Sequence, residues 1–178
     1  MQNVTGLLKY GIRINTDITL CRLDKFMNKS TVVRPMVLND IPSIHAIEKA
    51  AQVVAWSEKA FRDCLAVGYD AWVLEVEGVI TAFALSYTKV HECHILNLAV
   101  APQAQHQGYG KKILTHVLEH AKQLNADMVF LEVRVSNQAA INLYRLFNFN
   151  EIGARKNYYP TPNGGNEDAL ILALQLSM

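Results

Sequence analysis

Residues His94 to Val100 form a near-continuous apolar run, and Gly108 and Gly110 follow it. After them Ile113, Leu114, Val117, Leu118, Ala121 and Leu124 recur at helical spacing. A central strand, a glycine turn and an amphipathic helix in that order constrain the fold strongly. They place a row of unpaired backbone N–H groups at the positive end of a helix. Such an end binds a diphosphate without needing many basic side chains. The pattern is Gln105-x-x-Gly108-x-Gly110, and it is neither of two common phosphate loops. Lys112 stands where a P-loop needs a hydroxyl, and Gln105 where it needs its first glycine. Ile113 takes the place of the third glycine of a dinucleotide fold. An ordinary strand-to-helix turn would use the same glycines for backbone freedom alone.

The rest of the chain reads as mixed α and β in one domain without repeats. With 178 residues, 51% hydrophobic and 19% charged, it is long and apolar enough to bury a core. A net charge of +1 gives no footprint for direct nucleic-acid binding or for an anionic membrane. No apolar run approaches a membrane span. Lys9, Arg13 and Asp17 interrupt any signal-peptide core. Cys21, Cys64 and Cys93 are too scattered for a disulfide framework, which points to a reducing cytoplasm. Nothing here sets the oligomeric state, and a monomer is the expectation.

Residues 1–30 lack a clear period and are expected to be an N-terminal extension of unknown role, with Met27 as an alternative start. The domain proper spans 31–178. Thr31 to Val37 predicts a first strand. Asn39 or Asp40 then caps a helix that tolerates Pro42 in its first turn and carries Ile44, Ile47 and Ala51 on one face. Ser57 caps a second helix with Ala60, Phe61 and Leu65. Ala71 to Val76 and Val79 to Tyr87 form a hairpin through Glu77-Gly78. The helix after the glycines runs to about Asn125. Asp127 to Val135 is a strand, and Ser136 or Asn137 opens a helix with Ala140, Leu143, Tyr144 and Phe147 on one stripe. Asn148 suits a left-handed cap. Phe149 to Tyr158 and Asp168 to Leu176 are the last strands.

Few residues stand out chemically. On the strand from Asp127, Glu132 shares a face with Met128, Phe130 and Arg134, opposite Val129, Leu131 and Val133. A carboxylate beside Phe130 must be paired or reach a wet cleft. Either Glu132 forms a salt bridge with Arg134 or a similar partner, or it faces a cofactor cleft as a base. Tyr144 is by position a core aromatic, yet a phenol of pKa near 10 can also protonate a departing thiolate. His91-Glu92-Cys93-His94 has metal-ligand residue types, but neighbours on a strand point opposite ways and no second cluster completes the set. It reads as the polar start of a strand, and no metal is expected.

These segments together resemble the GNAT acyl-CoA-dependent N-acetyltransferases. The resemblance rests on Leu96-Asn97-Leu98-Ala99-Val100 with Gln105 to Gly110, on Leu131-Glu132-Val133-Arg134, and on Ser136 to Tyr144. Arg155-Lys156-Asn157-Tyr158-Tyr159-Pro160, Glu167-Asp168-Ala169 and Trp56-Ser57-Glu58-Lys59 narrow it to the bacterial group acting on ribosomal-protein alanine. It covers roughly Thr31 to the C-terminus. It implies a single-domain α/β GNAT fold: a mixed, mostly antiparallel sheet flanked by helices and splayed at the cofactor strand. It implies acetyl-CoA as co-substrate. Leu98, Ala99 and Val100 would hold the acyl arm, Gln105, His106, Gln107, Gly108, Tyr109 and Gly110 the diphosphate, and Asn137 the coenzyme arm. Glu132 would be the general base and Tyr144 the general acid. The substrate implied is the N-terminal alanine of a small-subunit ribosomal protein, acetylated directly in a ternary complex. His106 stands where the family often has Arg, Tyr109 where Leu is usual, and Asn148 where Gly is usual. Two other readings remain: a GNAT enzyme for a different peptide or small amine, and a non-catalytic acyl-CoA-binding module.

Overall fold

The computed structural model describes residues 29–176. The expected extension therefore lies outside the described residues except for 29 and 30. The alternating segments flanking Glu77-Gly78 form a hairpin, β2 (Asp70–Val76) and β3 (Val79–Lys89). Both turn residues have positive φ, 52° for Glu77 and 78° for Gly78. That turn matches the right-handed twist of the strands it joins. β1 (Thr31–Pro35) pairs with β2 at the sheet edge. β4 (Glu92–Val100) pairs antiparallel with β3 and parallel with β5 (Met128–Arg134). The last hairpin, β6 (Asn150–Pro160) and β7 (Asn166–Gln175), inserts β7 next to β5. The order is β1-β2-β3-β4-β5-β7-β6, and every described pair except β4–β5 is antiparallel.

Helices cover both faces. On one, α1 (Ile41–Ala51) and α2 (Glu58–Val67) bury Ile41, Ile44, Ile47 and Phe61 against Val73, Phe83 and Leu85. On the other, α3 (Tyr109–Gln123) and α4 (Gln138–Leu146) bury Ile113, Leu114, Val117 and Ile141 against Leu74, Ile95 and Val129. Ser57 caps α2 as expected, its Oγ accepting from the Ala60 amide at 3.2 Å. Asn148 takes the left-handed conformation, φ 63°.

Two local expectations need correction. Asp40 precedes α1 but its carboxylate does not cap the helix. Arg34 donates to both of its oxygens, at 2.7 and 2.9 Å, and the Val37 amide adds a bond at 2.8 Å. The guanidinium is the stronger partner, and hydrogen bonding to it holds the Asp40 carboxyl below its ordinary pKa. Leu124 was expected on the buried stripe of α3, but it follows the last turn and is 45% exposed.

The feature that positions the site is where pairing stops. β4 and β5 are paired from Glu92↔Met128 to Ile95↔Leu131. Beyond that point β4 stays with β3, while Glu132 to Arg134 stay with β7. A bulge at Leu96 starts the separation: Ser86 pairs with Ile95 and Leu85 with Asn97. The extra residue bends the bulged strand, and the sheet opens into a V.

Candidate active site

A cleft of about 670 Å³ occupies that opening. Leu96, Asn97 and Leu98 form its β4 wall, and Glu132, Val133 and Arg134 its β5 wall. Asn137, Ala140 and Tyr144 close one side. Glu48 of α1, Trp56 of the α1–α2 loop, and Arg155, Tyr158 and Tyr159 of β6 close the others.

Glu132 reaches this cleft because of strand alternation. Val129, Leu131 and Val133 are buried in the core beneath α3, which leaves Glu132 on the other face. It is not paired with Arg134. Arg134 turns instead to Glu167 at 2.7 Å and to the Pro160 carbonyl at 3.0 Å. The partner of Glu132 is Arg155, whose Nε lies 2.8 Å from Oε1. The pair is in the cleft wall, with the Glu132 side chain 25% exposed. Glu132 is thus ion-paired, with a different cation from Arg134, and also lines the cleft. β6 makes this possible by bulging between Arg155 and Tyr159. Asp168 pins the bulge, binding Lys156 Nζ at 2.6 Å and the Asn157 amide at 2.9 Å.

Tyr144 combines a core ring with a cleft-facing position. It is 6% exposed and packs on Phe149 at 5.5 Å between ring centroids. Burial, helped by the nearby Tyr159, pushes its phenol above the ordinary value. The hydroxyl therefore stays protonated at neutral pH, as a proton donor must. Tyr159 is itself pushed up to about 12, by burial and then by Glu132 and Tyr158. Its hydroxyl donates to the Glu132 carbonyl at 3.3 Å, and the Arg134 guanidinium lies 4.5 Å over its ring. This ties the end of β6 to β5 on one side of the cleft.

The glycine turn lies outside the cleft lining. The structure brings Leu98, Glu132, Asn137 and Tyr144 into one cleft. Ala99, Val100 and the segment Gln105, His106, Gln107, Gly108, Tyr109 and Gly110 sit beyond it, at the end of β4 and the start of α3. Gln105 to Gly108 are exposed, and His106 and Gly108 have positive φ, 60° and 84°. No side chain caps the first turn of α3, so its amides keep their donors for a ligand. A Cβ on Gly110 would sit 3.3 Å from Leu143 and 3.5 Å from Val100. That glycine lets α3 start close against β4 and α4. An exposed amide row beside a splayed strand end fits the diphosphate and pantetheine arm of an acyl-CoA. Asn137 lines the cleft, but its Oδ1 is engaged with the Ala140 amide at 3.1 Å as the cap of α4.

Sequence reasoning missed Arg155 as the partner of Glu132, and it missed Glu48. Glu48 is 1% exposed, and its Oε1 accepts from the Trp56 amide at 3.0 Å. Oε2 has no partner among the described residues. Burial raises its pKa against the opposing effects of the Trp56 hydrogen bond and the nearby Asn97 side chain. The available signal was a carboxylate on the stripe Ile44, Ile47, Ala51, where an exposed face would carry it. The His91–His94 cluster is divided by the strand: Cys93 is buried, His94 contacts Glu92 at 3.3 Å, and His91 contacts the Asn125 carbonyl at 2.9 Å. Among the described residues no three such side chains converge as a metal site.

Comparison with known proteins agrees with this geometry. The acetyltransferase (GNAT) family matches residues 41–149. The chain is similar to ribosomal protein bS18-alanine N-acetyltransferase of Escherichia coli (strain K12), 40% identical over 139 residues, 78% of this chain and 93% of that protein. It is similar to the bS18-alanine N-acetyltransferase of Haemophilus ducreyi, 38% identical over 145 residues, 82% of this chain and 100% of that one. The crystal structure of the Escherichia coli ribosomal-protein-S18-alanine N-acetyltransferase superposes with a TM-score of 0.78 at 38% identity, over 84% of this chain and 96% of that chain. With a matching family, the expected splay and an acid and base candidate in one cleft, the chain belongs to the GNAT acetyltransferase family.

Proposed function

We propose that this chain transfers the acetyl group of acetyl-CoA to the α-amino group of the N-terminal alanine of ribosomal protein bS18. The observation that carries the mechanism is the presence of Glu132 and Tyr144 in one cleft at the splay between β4 and β5. Similarity at 40% identity over most of the chain supports the substrate.

Acetyl-CoA, when bound, supplies an activated thioester. Backbone groups of Leu98, Ala99 and Val100 would hold its acyl arm, since this end of β4 has lost its β5 neighbour. The exposed amides from Gln105 to Gly110 would hold its diphosphate, and Asn137 would flank the coenzyme arm. Arg155 fixes the direction of the Glu132 carboxylate. Glu132, through a water, takes the proton of the substrate ammonium. Tyr144 gives its proton to the departing sulfur, whose parent thiol has a pKa of about 8.5. The amine attacks directly. Cys93 is buried on the far face of the sheet, and Cys64 lies on α2. Burial raises both thiols, so neither is a poised nucleophile.

A carboxylate acting through water suits an α-amine better than a lysine. Their pKa values, about 8 and about 10.4, give neutral fractions differing by roughly two orders of magnitude at neutral pH. The aromatic and cationic wall from β6 also favours a peptide over a compact amine. The reading places the protein in the cytoplasm with ribosomal protein synthesis. It requires no nucleic-acid or membrane contact, and a single chain supplies every side chain named.

The test is to incubate the protein with acetyl-CoA and the bS18 N-terminal peptide and to locate added acetyl by mass spectrometry. Acetyl on the alanine nitrogen is expected. Acetyl on lysine alone, or efficient turnover of small amines but not the peptide, refutes the assignment. Tight acetyl-CoA binding without transfer to any amine would mark a binding module instead.

A further inference from the structure

Glu167 belongs to the Glu167-Asp168-Ala169 segment singled out in the sequence, and the acid–base scheme leaves it unused. It stands at the corner between the two residues that scheme does use. β5 carries Glu132 and α4 carries Tyr144, and only Val135, Ser136 and Asn137 join them. Each residue from Arg134 to Ser136 bonds to Glu167 or Asp168. Arg134 Nη1 donates to Glu167 Oε1 at 2.7 Å, the Val135 amide to the Asp168 carbonyl at 3.2 Å, and the Ser136 amide to Glu167 Oε2 at 3.2 Å. One carboxylate thus spans the end of β5 and the approach to α4. The Arg134 and Glu167 side chains are only 10% and 16% exposed. Burial works against the charge on Glu167, but hydrogen bonds from Arg134 and Ser136 outweigh it and hold the carboxyl below its ordinary value. Neither group can leave the other without stranding a charge away from water.

The corner directs α4. That helix has nine residues, and Ile141 and Tyr144 are its buried side chains. Its start is fixed by the Asn137 amide, which donates to the Arg134 carbonyl at 3.0 Å, and by the Asn137 cap on Ala140. Tyr144 lies two turns beyond that cap, about 10 Å along the helix. At that distance a tilt of about 5° at the cap shifts the phenol by about 1 Å. A misplacement of about 1 Å can cost about 10²-fold in rate. Glu167 itself is not part of the cleft lining. We infer that Glu167 is a positioning residue for the proton donor: by joining the end of β5 to the amide before the α4 cap, it sets where the Tyr144 hydroxyl stands relative to Glu132. The inference rests on the role given to Tyr144 in the proposed reaction.

A double-mutant cycle on kcat, with acetyl-CoA and the bS18 N-terminal peptide, decides it. Glu167→Ala should lower kcat by about tenfold to a hundredfold and leave the acetyl-CoA Kd within about twofold, since the exposed amides of the glycine turn are elsewhere. In a Tyr144→Phe background the same change should lower kcat by less than about twofold, because the group it places is already gone. A residue that only supported the fold would lower kcat equally in both backgrounds. Glu167→Gln offers one acceptor oxygen in place of two and should show the same dependence on Tyr144 with a smaller loss. Circular dichroism checks folding, and Glu167→Gln decides should Glu167→Ala not fold. Losses of equal size in the two backgrounds overturn the inference, as does an unchanged kcat in the folded Glu167 variants. Wild-type protein that acetylates no peptide overturns the functional assignment, and a wild-type kcat in Tyr144→Phe removes Tyr144 from the reaction. Each takes this inference with it, and each is distinct from additive losses.

Discussion

Glu132 and Tyr144 are the residues on which the proposed chemistry turns, and their surroundings make separate demands. Glu132→Gln keeps the shape and a partner for Arg155 but removes the proposed base. Its kcat should drop by about 10²-fold or more, while the acetyl-CoA Kd by calorimetry stays within about twofold, since the proposed diphosphate row is elsewhere. Tyr144→Phe keeps the packing on Phe149 and removes the proposed proton donor, so kcat should fall with little change in Tm. It should also alter the alkaline stability profile. Burial raises the Tyr144 pKa in the folded protein above its ordinary value of 10.0. The neutral phenol's contribution is therefore complete below about pH 10 and lost as pH rises through the folded value. Urea midpoints taken above pH 10 should decline less steeply in Tyr144→Phe than in wild type. Residue types and strand alternation made these two candidates legible. The partner of Glu132 was not legible, because Arg155 reaches it only through the β6 bulge that Asp168 pins.

Among the elements, the loop from Gln52 to Ser57 depends on one buried side chain. Glu48 accepts the Trp56 amide at 3.0 Å and lies beside the Asn97 end of the β4 bulge. It thus ties the substrate wall to the splayed strand. Glu48→Leu leaves the Trp56 amide without its acceptor and should cost about 1–3 kcal/mol, read from urea unfolding, with a higher KM for peptide. Glu48→Gln keeps an acceptor in place and should recover most of both losses. Equal effects of the two variants would show that the bond to Trp56 contributes nothing. Ser57→Ala probes the same region from the other side. Loss of its bond to Ala60 should cost about 1 kcal/mol, seen as a lowered Tm without a change in the acetyl-CoA Kd. Element identities followed from periodicity and caps, as α2 and the β2–β3 hairpin illustrate. The cap of α1 did not, since Arg34 competes for Asp40 from a neighbouring strand.

For the whole molecule, the open V is the unusual feature. Two strands that begin as partners each end on a different neighbour, and the seam between them is unsealed by backbone bonds. A ligand that fills the seam binds only the folded chain, so acetyl-CoA should stabilise it by mass action. At a concentration of about 100 times its Kd the gain is about 2.7 kcal/mol, visible as a rise in Tm that Glu132→Gln retains. No such rise in either protein would show that the folded chain does not bind acetyl-CoA.

By itself the sequence determined the order of strands and helices, the glycine turn before α3 and the alternation that sets Glu132 apart from its core-facing neighbours. Those features depend on residues a few positions apart, where 2.0 and 3.6 residue periods and turn stereochemistry act. Only the tertiary structure decided that β7 lies between β5 and β6, that β4 and β5 part at Ile95 and Leu131, and that Glu48, Arg155 and Tyr159 meet around one cleft. These contacts join segments far apart in the chain. Their partners are selected by which surfaces remain unburied and which charges remain unpaired once the sheet has closed, and no local period encodes that choice.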